Sequence, residues 1–210
     1  MTVDAANLSI EPAGHAPKVI ELVLRPDHLL RDDRILSERW ALVLLVAVLG
    51  VGAGIDNIAL LGYGALEGRF PNWSRYWMFV LVGALIRGPI RYLLGGWWFR
   101  VRLRMCGVRE VAPRRTRRIS ALTDLVSMVP AILVTLGQTL VSPTPASAGA
   151  GAAWPDLLVG YFTLWSLLAN YLVATGCFPV RKGRAVFWFA VLPGVLTAGL
   201  VGWAIIRQLQ

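Results

Sequence analysis

Residues 82–99, VGALIRGPIRYLLGGWWF, place Arg87 and Arg91 one helical turn apart in an otherwise apolar run, with Pro89 between them. A charge at the centre of a bilayer costs about 2.5–3.5 kcal/mol on insertion scales. Two guanidiniums there need partners or a purpose. Three uses fit these residue types: an ion pair that fixes helix register, a polar cavity for an anionic substrate or lipid headgroup, and acid–base chemistry. A spacing of four puts both arginines on one helix face, and that face should look into a bundle. Pro89 has no N–H for the carbonyl of Leu85, so a further polar group is freed at that depth.

Depth within the apolar segments suggests the partners. Asp56 lies about six residues, roughly 9 Å, from the outer end of the first segment, and Arg87 roughly 15 Å from the outer end of the second. Asp124 lies roughly 8 Å from the inner end of the third segment, and Arg91 roughly 10 Å from the inner end of the second. An arginine side chain spans such differences, which pairs Asp56 with Arg87 and Asp124 with Arg91. Asn57 and Asn170 are further acceptors. Two acids facing two arginines balance, and that balance favours a structural network over a ligand cavity. No nucleophile or titrating base accompanies the four, so catalysis is not expected of them.

The elements that hold these residues are membrane spans. The chain has 210 residues, 56% hydrophobic and only 16% charged, against about a quarter charged in soluble domains. Five segments reach the roughly 20 apolar residues that a spanning helix needs: 40–62, 76–99, 119–141, 156–177 and 185–206. Counting Lys and Arg from the N-terminal tail through each loop to the C-terminus gives 5, 2, 8, 0, 3 and 1. This alternation satisfies the positive-inside rule with five spans, the N-terminus cytoplasmic and the C-terminus outside. The tryptophans agree. Trp40, Trp97, Trp98 and Trp188 fall near inner ends and Trp73, Trp77, Trp154 and Trp203 near outer ends, where an amphipathic ring sits at the interface. The fold class read from the sequence is therefore all-α, an integral membrane bundle of five transmembrane helices (40–206) behind a cytoplasmic tail (1–39).

Seven of the twelve acids lie in that tail, which is too short to bury a core of its own. It lacks the apolar region of a signal peptide. KVIELVLRPDHLL, residues 18–30, reads as a short amphipathic segment for the membrane surface or the underside of the bundle. The net charge of +9 is explained by retained cytoplasmic loops, not by nucleic acid. Its largest block is the second loop, with Arg100, Arg102, Arg104, Arg109, Arg114, Arg115, Arg117 and Arg118. Those arginines fix topology, and are candidates for anionic headgroups or a protein partner. The GVGAG stretch from Gly50 to Gly54, and Gly194, Ala198 and Gly202, read as close-packing helix surfaces, within the chain or in a homo-oligomer. The third loop, SPTPASAGAGAAWP, reads as a flexible connection.

Catalytic arrangements are missing. The two histidines, His15 and His28, both lie in the tail, and there is no HExxH, CxxC, G-x-S-x-G or Walker loop. The chain reads as non-enzymatic, with no metal and no cofactor. Cys106 and Cys177 fall on the cytoplasmic side and set no disulfide framework. Arginine outnumbers lysine nineteen to two, a composition of GC-rich bacterial genomes, which suggests a bacterial inner membrane.

The tail segment VIELVLRPDHLL comes before five spans. MCGVREVAPRRTRRIS leads into a third span with a central proline, LTDLVSMVPAILVTL. The last hairpin ends in FPVRKGRAVFWFAVLPGVLTAGLVGW. Over most of residues 18–206 this pattern resembles bacterial members of the Yip (Ypt-interacting protein) family. The resemblance implies a five-span protein with a cytosolic N-terminus that acts as a membrane scaffold or interaction protein. Eukaryotic relatives bind Rab-type GTPases and sister family members, but their Asp-Leu-Tyr-Gly-Pro signature is absent here. No functional residue is carried over. The alternative expectation is a small transporter or lipid-handling protein with a polar cavity around Arg87.

Overall fold

A computed structural model describes residues 39–59, 69–149 and 154–199. The tail, with its amphipathic segment, and the far end of the fifth apolar segment lie outside them. The described chain is helical: α1 Arg39–Ala59, α2 Trp73–Met105, α3 Pro113–Val141, the short α4 Pro145–Gly149, α5 Trp154–Cys177 and α6 Lys182–Val186. A π-helical turn, Phe187–Val191, follows α6, and the chain continues as α-helix over 192–199.

Four helices among the described residues are long and apolar enough to cross a membrane: Trp40–Ala59, Trp73–Met105, Pro113–Val141 and Leu157–Cys177. They match the first four expected spans. The fifth is described only in its first part, which is helical.

Helix α2 runs seamlessly through Pro89 for 33 residues, or about 50 Å. That exceeds the roughly 30 Å hydrocarbon layer, so its ends project beyond the layer. Both α2 and α3 extend further at the arginine-rich end than the apolar runs imply. Arg100, Arg102 and Arg104 close α2, and Arg114, Arg115, Arg117 and Arg118 open α3. The expected eight-arginine loop is thus two helix ends joined by residues 106–112. Basic residues at the C-terminal end of α2 complement its dipole, which lets the helix carry on past the apolar run. Gly107 makes the turn with φ +98°, a left-handed conformation open to glycine at little cost. Pro113 then starts α3, where its missing N–H is harmless.

Glycines bring α1 and α2 to backbone contact. A Cβ on Gly50 would strike the Ala84 carbonyl, one on Gly88 the Val46 carbonyl, and one on Gly54 would come 3.2 Å from Val80. These pairs step four residues up α1 and four down α2, so the helices are antiparallel. On its other side, a Cβ on Gly52 would strike Met128 of α3. The GVGAG stretch is a two-sided packing surface, as its composition suggests. Of the later small-residue stripe, Gly202 lies outside the described residues. Gly194 approaches only Leu167, at 4.0 Å, and Ala198 is exposed.

The core is continuous from Leu49 through Phe99, Val173 and Phe189. A second cluster, with Ile58, Phe70, Tyr76 and Val80, fills the opposite end. There Trp73 Nε1 donates to the Ser142 carbonyl at 2.7 Å and Trp77 Nε1 to Thr139 Oγ1 at 3.0 Å. Leu81, Val82, Leu85 and Ile86 form an exposed apolar face on α2. A soluble monomer rarely leaves such a face uncovered, whereas a bilayer covers it.

Candidate functional site

One stripe of α2 organises the polar interior: Arg87, Arg91, Gly95, Trp98 and Arg102. Their spacing of three or four residues keeps them on one side of the helix. Arg91 sits at the centre. Its Nε donates to Asp124 Oδ2 at 3.1 Å, and its Nη1 lies 3.9 Å from Asp56 Oδ2. Both acids therefore converge on one arginine.

The expected Asp56–Arg87 pair is replaced by Asp56–Arg91. Helical side chains lie over the turn N-terminal to their own Cα. The Arg91 guanidinium therefore occupies the level at which depth alone had placed Arg87. Arg87 turns away along its own helix into the notch left by Gly83, where a Cβ would collide with its Nη1. Its guanidinium carbon lies 4.8 Å from the centre of the Phe79 ring. Its Nη1 is buried without a hydrogen-bond partner, and Arg87 forms no ion pair among the described residues.

Arg102 is the residue that sequence reasoning misplaced. It was expected among the surface arginines, yet it is only 7% exposed. Its guanidinium carbon lies 4.5 Å from the Phe189 ring centre, with Phe99 at 5.6 Å and Trp98 at 5.9 Å. These contacts suit a cation on aromatic faces, but supply no acceptor, and Nε lacks a hydrogen-bond partner. The π turn helps to place Phe189. Pro193 has no N–H to offer the Phe189 carbonyl, and the ladder widens just before it, with the Leu192 N–H donating to Phe187 O.

Two cavities flank the stripe. The larger, 490 Å³, is lined by Asn57, Arg87, Ile90, Leu94 and Ser120 among others. The smaller, 280 Å³, reaches toward α5 and the last segment, past Ser127, Thr163, Ser166, Asn170 and Thr197. Arg91, Trp98, Arg102 and Asp124 line both. Among the described residues three arginines thus face two aspartates, and the expected charge balance gives way to one positive charge in excess. The second asparagine expected near the network, Asn170, instead ties α5 to α3. Its Nδ2 donates to the Ser166 carbonyl at 2.8 Å, and its Oδ1 lies 3.4 Å from the Thr123 hydroxyl.

The remaining arginines form a basic rim. Arg104, Arg109 and Arg114 are exposed, and Arg100, Arg115, Arg117 and Arg118 are half-buried. Arg115 lies over Phe178 at 5.4 Å, and Arg117 packs its backbone and stem against Gly96. In the same layer Cys106 is fully buried. Burial pushes its thiol above the ordinary range, opposed by Arg102 and Arg184. The reactive thiolate is therefore scarcer than in a free cysteine. Maleimide at pH 7 is expected to label half-buried Cys177 before Cys106. Cys106 should react only once the bundle is unfolded, and rapid labelling of Cys106 in Cys177→Ser would contradict the packing.

These features define a multi-pass α-helical membrane protein with a charged cavity among its helices. Comparison with protein-family models, with curated proteins and with solved structures gave no match.

Proposed function

We propose that this protein is a small transporter or lipid-handling protein that takes an anionic group into the cavity beside Arg87, Arg91 and Arg102. The observation that carries this reading is the excess cation. Asp56 and Asp124 are both committed to Arg91, while Arg87 Nη1 and Arg102 Nε have no acceptor among the described residues. A buried donor without a partner costs about 1–3 kcal/mol, and more when charged. An oxyanion arriving at either arginine would remove that cost there through charge-assisted hydrogen bonds. Purely structural pairs would not need a third arginine. The cavity volume falls within the range of small-ligand sites. No nucleophile or general base lies on the stripe, so the reading is of binding and passage, not catalysis.

The setting we propose is a bacterial inner membrane, with five spans, the N-terminus cytoplasmic and the arginine-rich end on the cytoplasmic face. The positive-inside rule supports this orientation. A second reading is the scaffold implied by the resemblance to the Yip family. The exposed arginines around the α2–α3 turn favour it, because they present charge to an acidic partner. A scaffold predicts a co-purifying protein that survives Arg87→Met and is lost on deleting residues 1–35.

The test is thermal unfolding in neutral detergent with a titrated short-chain anionic lipid or inorganic phosphate. At 100 times its dissociation constant a ligand adds about 2.7 kcal/mol, a rise of several degrees in midpoint. Wild type should show that rise with at least one probe, and Arg87→Met should show little of it. An equal rise in both proteins would place the anion elsewhere.

A further inference from the structure

We infer that the ligand of this cavity is a phosphate-bearing anionic lipid from the leaflet at the arginine-rich end, with Arg102 anchoring its headgroup. This rests on the anion-binding reading above and names its ligand.

Arg102 supplies the first reason. It is more than nine-tenths buried, faces both cavities and has an Nε without an acceptor. Its ring contacts supply no hydrogen-bond acceptor and leave the Nε–H for an oxyanion, and a guanidinium fork suits phosphate. Arg91 lines both cavities too, but it lies eleven residues, or roughly 16 Å, from Arg102 along α2. Its guanidinium is held by Asp124 and Asp56, which leaves Arg102 as the free donor at this level.

The route of entry is the second reason. The larger cavity is bordered by Ile90 and Leu94, apolar side chains of α2 that are 49% and 59% exposed. A molecule crossing that border comes from hydrocarbon. A small hydrated anion would have to shed its water there, at a cost of many kcal/mol. An amphiphile enters with its chain in the bilayer and only its headgroup inside. The volume of 490 Å³ also suits a drug-sized ligand better than a bare oxyanion.

The third reason is supply. Arg104, Arg109 and Arg114 are exposed at the same end of the bundle as Arg102. Exposed arginines next to a membrane surface enrich anionic headgroups locally. The rim and the buried anchor then act in sequence along one helix hairpin.

The experiment is native mass spectrometry of the full chain, released from nanodiscs of equal phosphatidylglycerol and phosphatidylcholine. Wild type should retain one phosphatidylglycerol, preferred about tenfold or more over phosphatidylcholine, because both carry the phosphodiester but the choline ammonium would meet the arginines as a like charge. Arg102→Gln should lose that preference. Leu94→Trp, which fills the bilayer-side border and alters no charge, should lose it too. Leu85→Trp, also exposed on α2 but on the opposite side of the helix from Leu94 and outside the cavity lining, should keep it. Retention undiminished in both Arg102→Gln and Leu94→Trp would show a lipid bound elsewhere on the surface, and overturn the assignment. No retained lipid, combined with Arg87-dependent stabilisation by inorganic phosphate, would also overturn it while leaving an anion site in place. Neither retained lipid nor stabilisation by phosphate would remove both readings.

Discussion

Replacing Asp124 by leucine is expected to cost the bundle about 3 kcal/mol, near the lower end for removing one partner of a buried ion pair. The lower end applies because Asp124 and Arg91 keep 21% and 37% of their side-chain surface accessible. The loss leaves the Arg91 guanidinium with only the longer 3.9 Å contact to Asp56. It also adds to a cavity that already holds more arginine than aspartate. Arg91→Met should be similarly damaging, because it strands two acids. The double variant Asp124→Leu/Arg91→Met should recover part of the loss, since each single change leaves a partner exposed to the same cost. Recovery is incomplete because Asp56 then has no arginine. Denaturant or SDS unfolding of the four proteins in one detergent measures the cycle. Strict additivity would mean that the 3.1 Å hydrogen bond contributes nothing to holding α2 and α3 together.

Gly88→Leu should be as costly, for a reason that involves no charge. A Cβ at Gly88 meets the Val46 carbonyl, and neither backbone can yield without moving a helix. We expect a loss of about 3 kcal/mol, the upper end for overpacked sites. Gly50→Leu should behave alike, because its Cβ meets the Ala84 carbonyl. The control is internal. Gly137 and Gly160 have nothing within 4 Å of an added Cβ, so Ala at either should raise stability by about 1 kcal/mol through helix propensity. Opposite signs at Gly88 and Gly137 in one unfolding assay would verify the α1–α2 approach. Equal, small effects at both would show that the two backbones are not in contact.

Much of this architecture is legible in the sequence because the membrane imposes it. Apolar runs of spanning length must become helices, since no water is present to satisfy their backbones. The GVGAG stretch announces close packing for the same reason. Asp124 and Arg91 meet where depth suggests. Depth fixes height but not direction around the helix, and side chains lean toward the N-terminus. Those two facts moved Asp56 from Arg87 to Arg91. Arg102 was hidden differently. The alternation Arg100, Arg102, Arg104 just beyond an apolar run looks like a basic loop. Its burial depends on Phe189, 87 positions later in the chain. A signal was nonetheless present: Arg87, Arg91, Gly95, Trp98 and Arg102 recur at helical spacing, which extends α2 past the apolar run. The π turn that presents Phe189 follows from Pro193, but a proline alone does not distinguish a π turn from a kink.

The excess positive charge separates a ligand cavity from a set of structural ion pairs. Its most direct test compares the stability of Arg87→Met and Arg91→Met in nanodiscs of neutral lipid, with no anionic ligand added. Arg91→Met should lower the unfolding midpoint sharply. Arg87→Met should leave it unchanged or raise it, because it removes a buried cation that no acid compensates. An Arg87→Met protein as unstable as Arg91→Met would contradict the account, and make Arg87 part of the scaffold of the bundle rather than of its binding site.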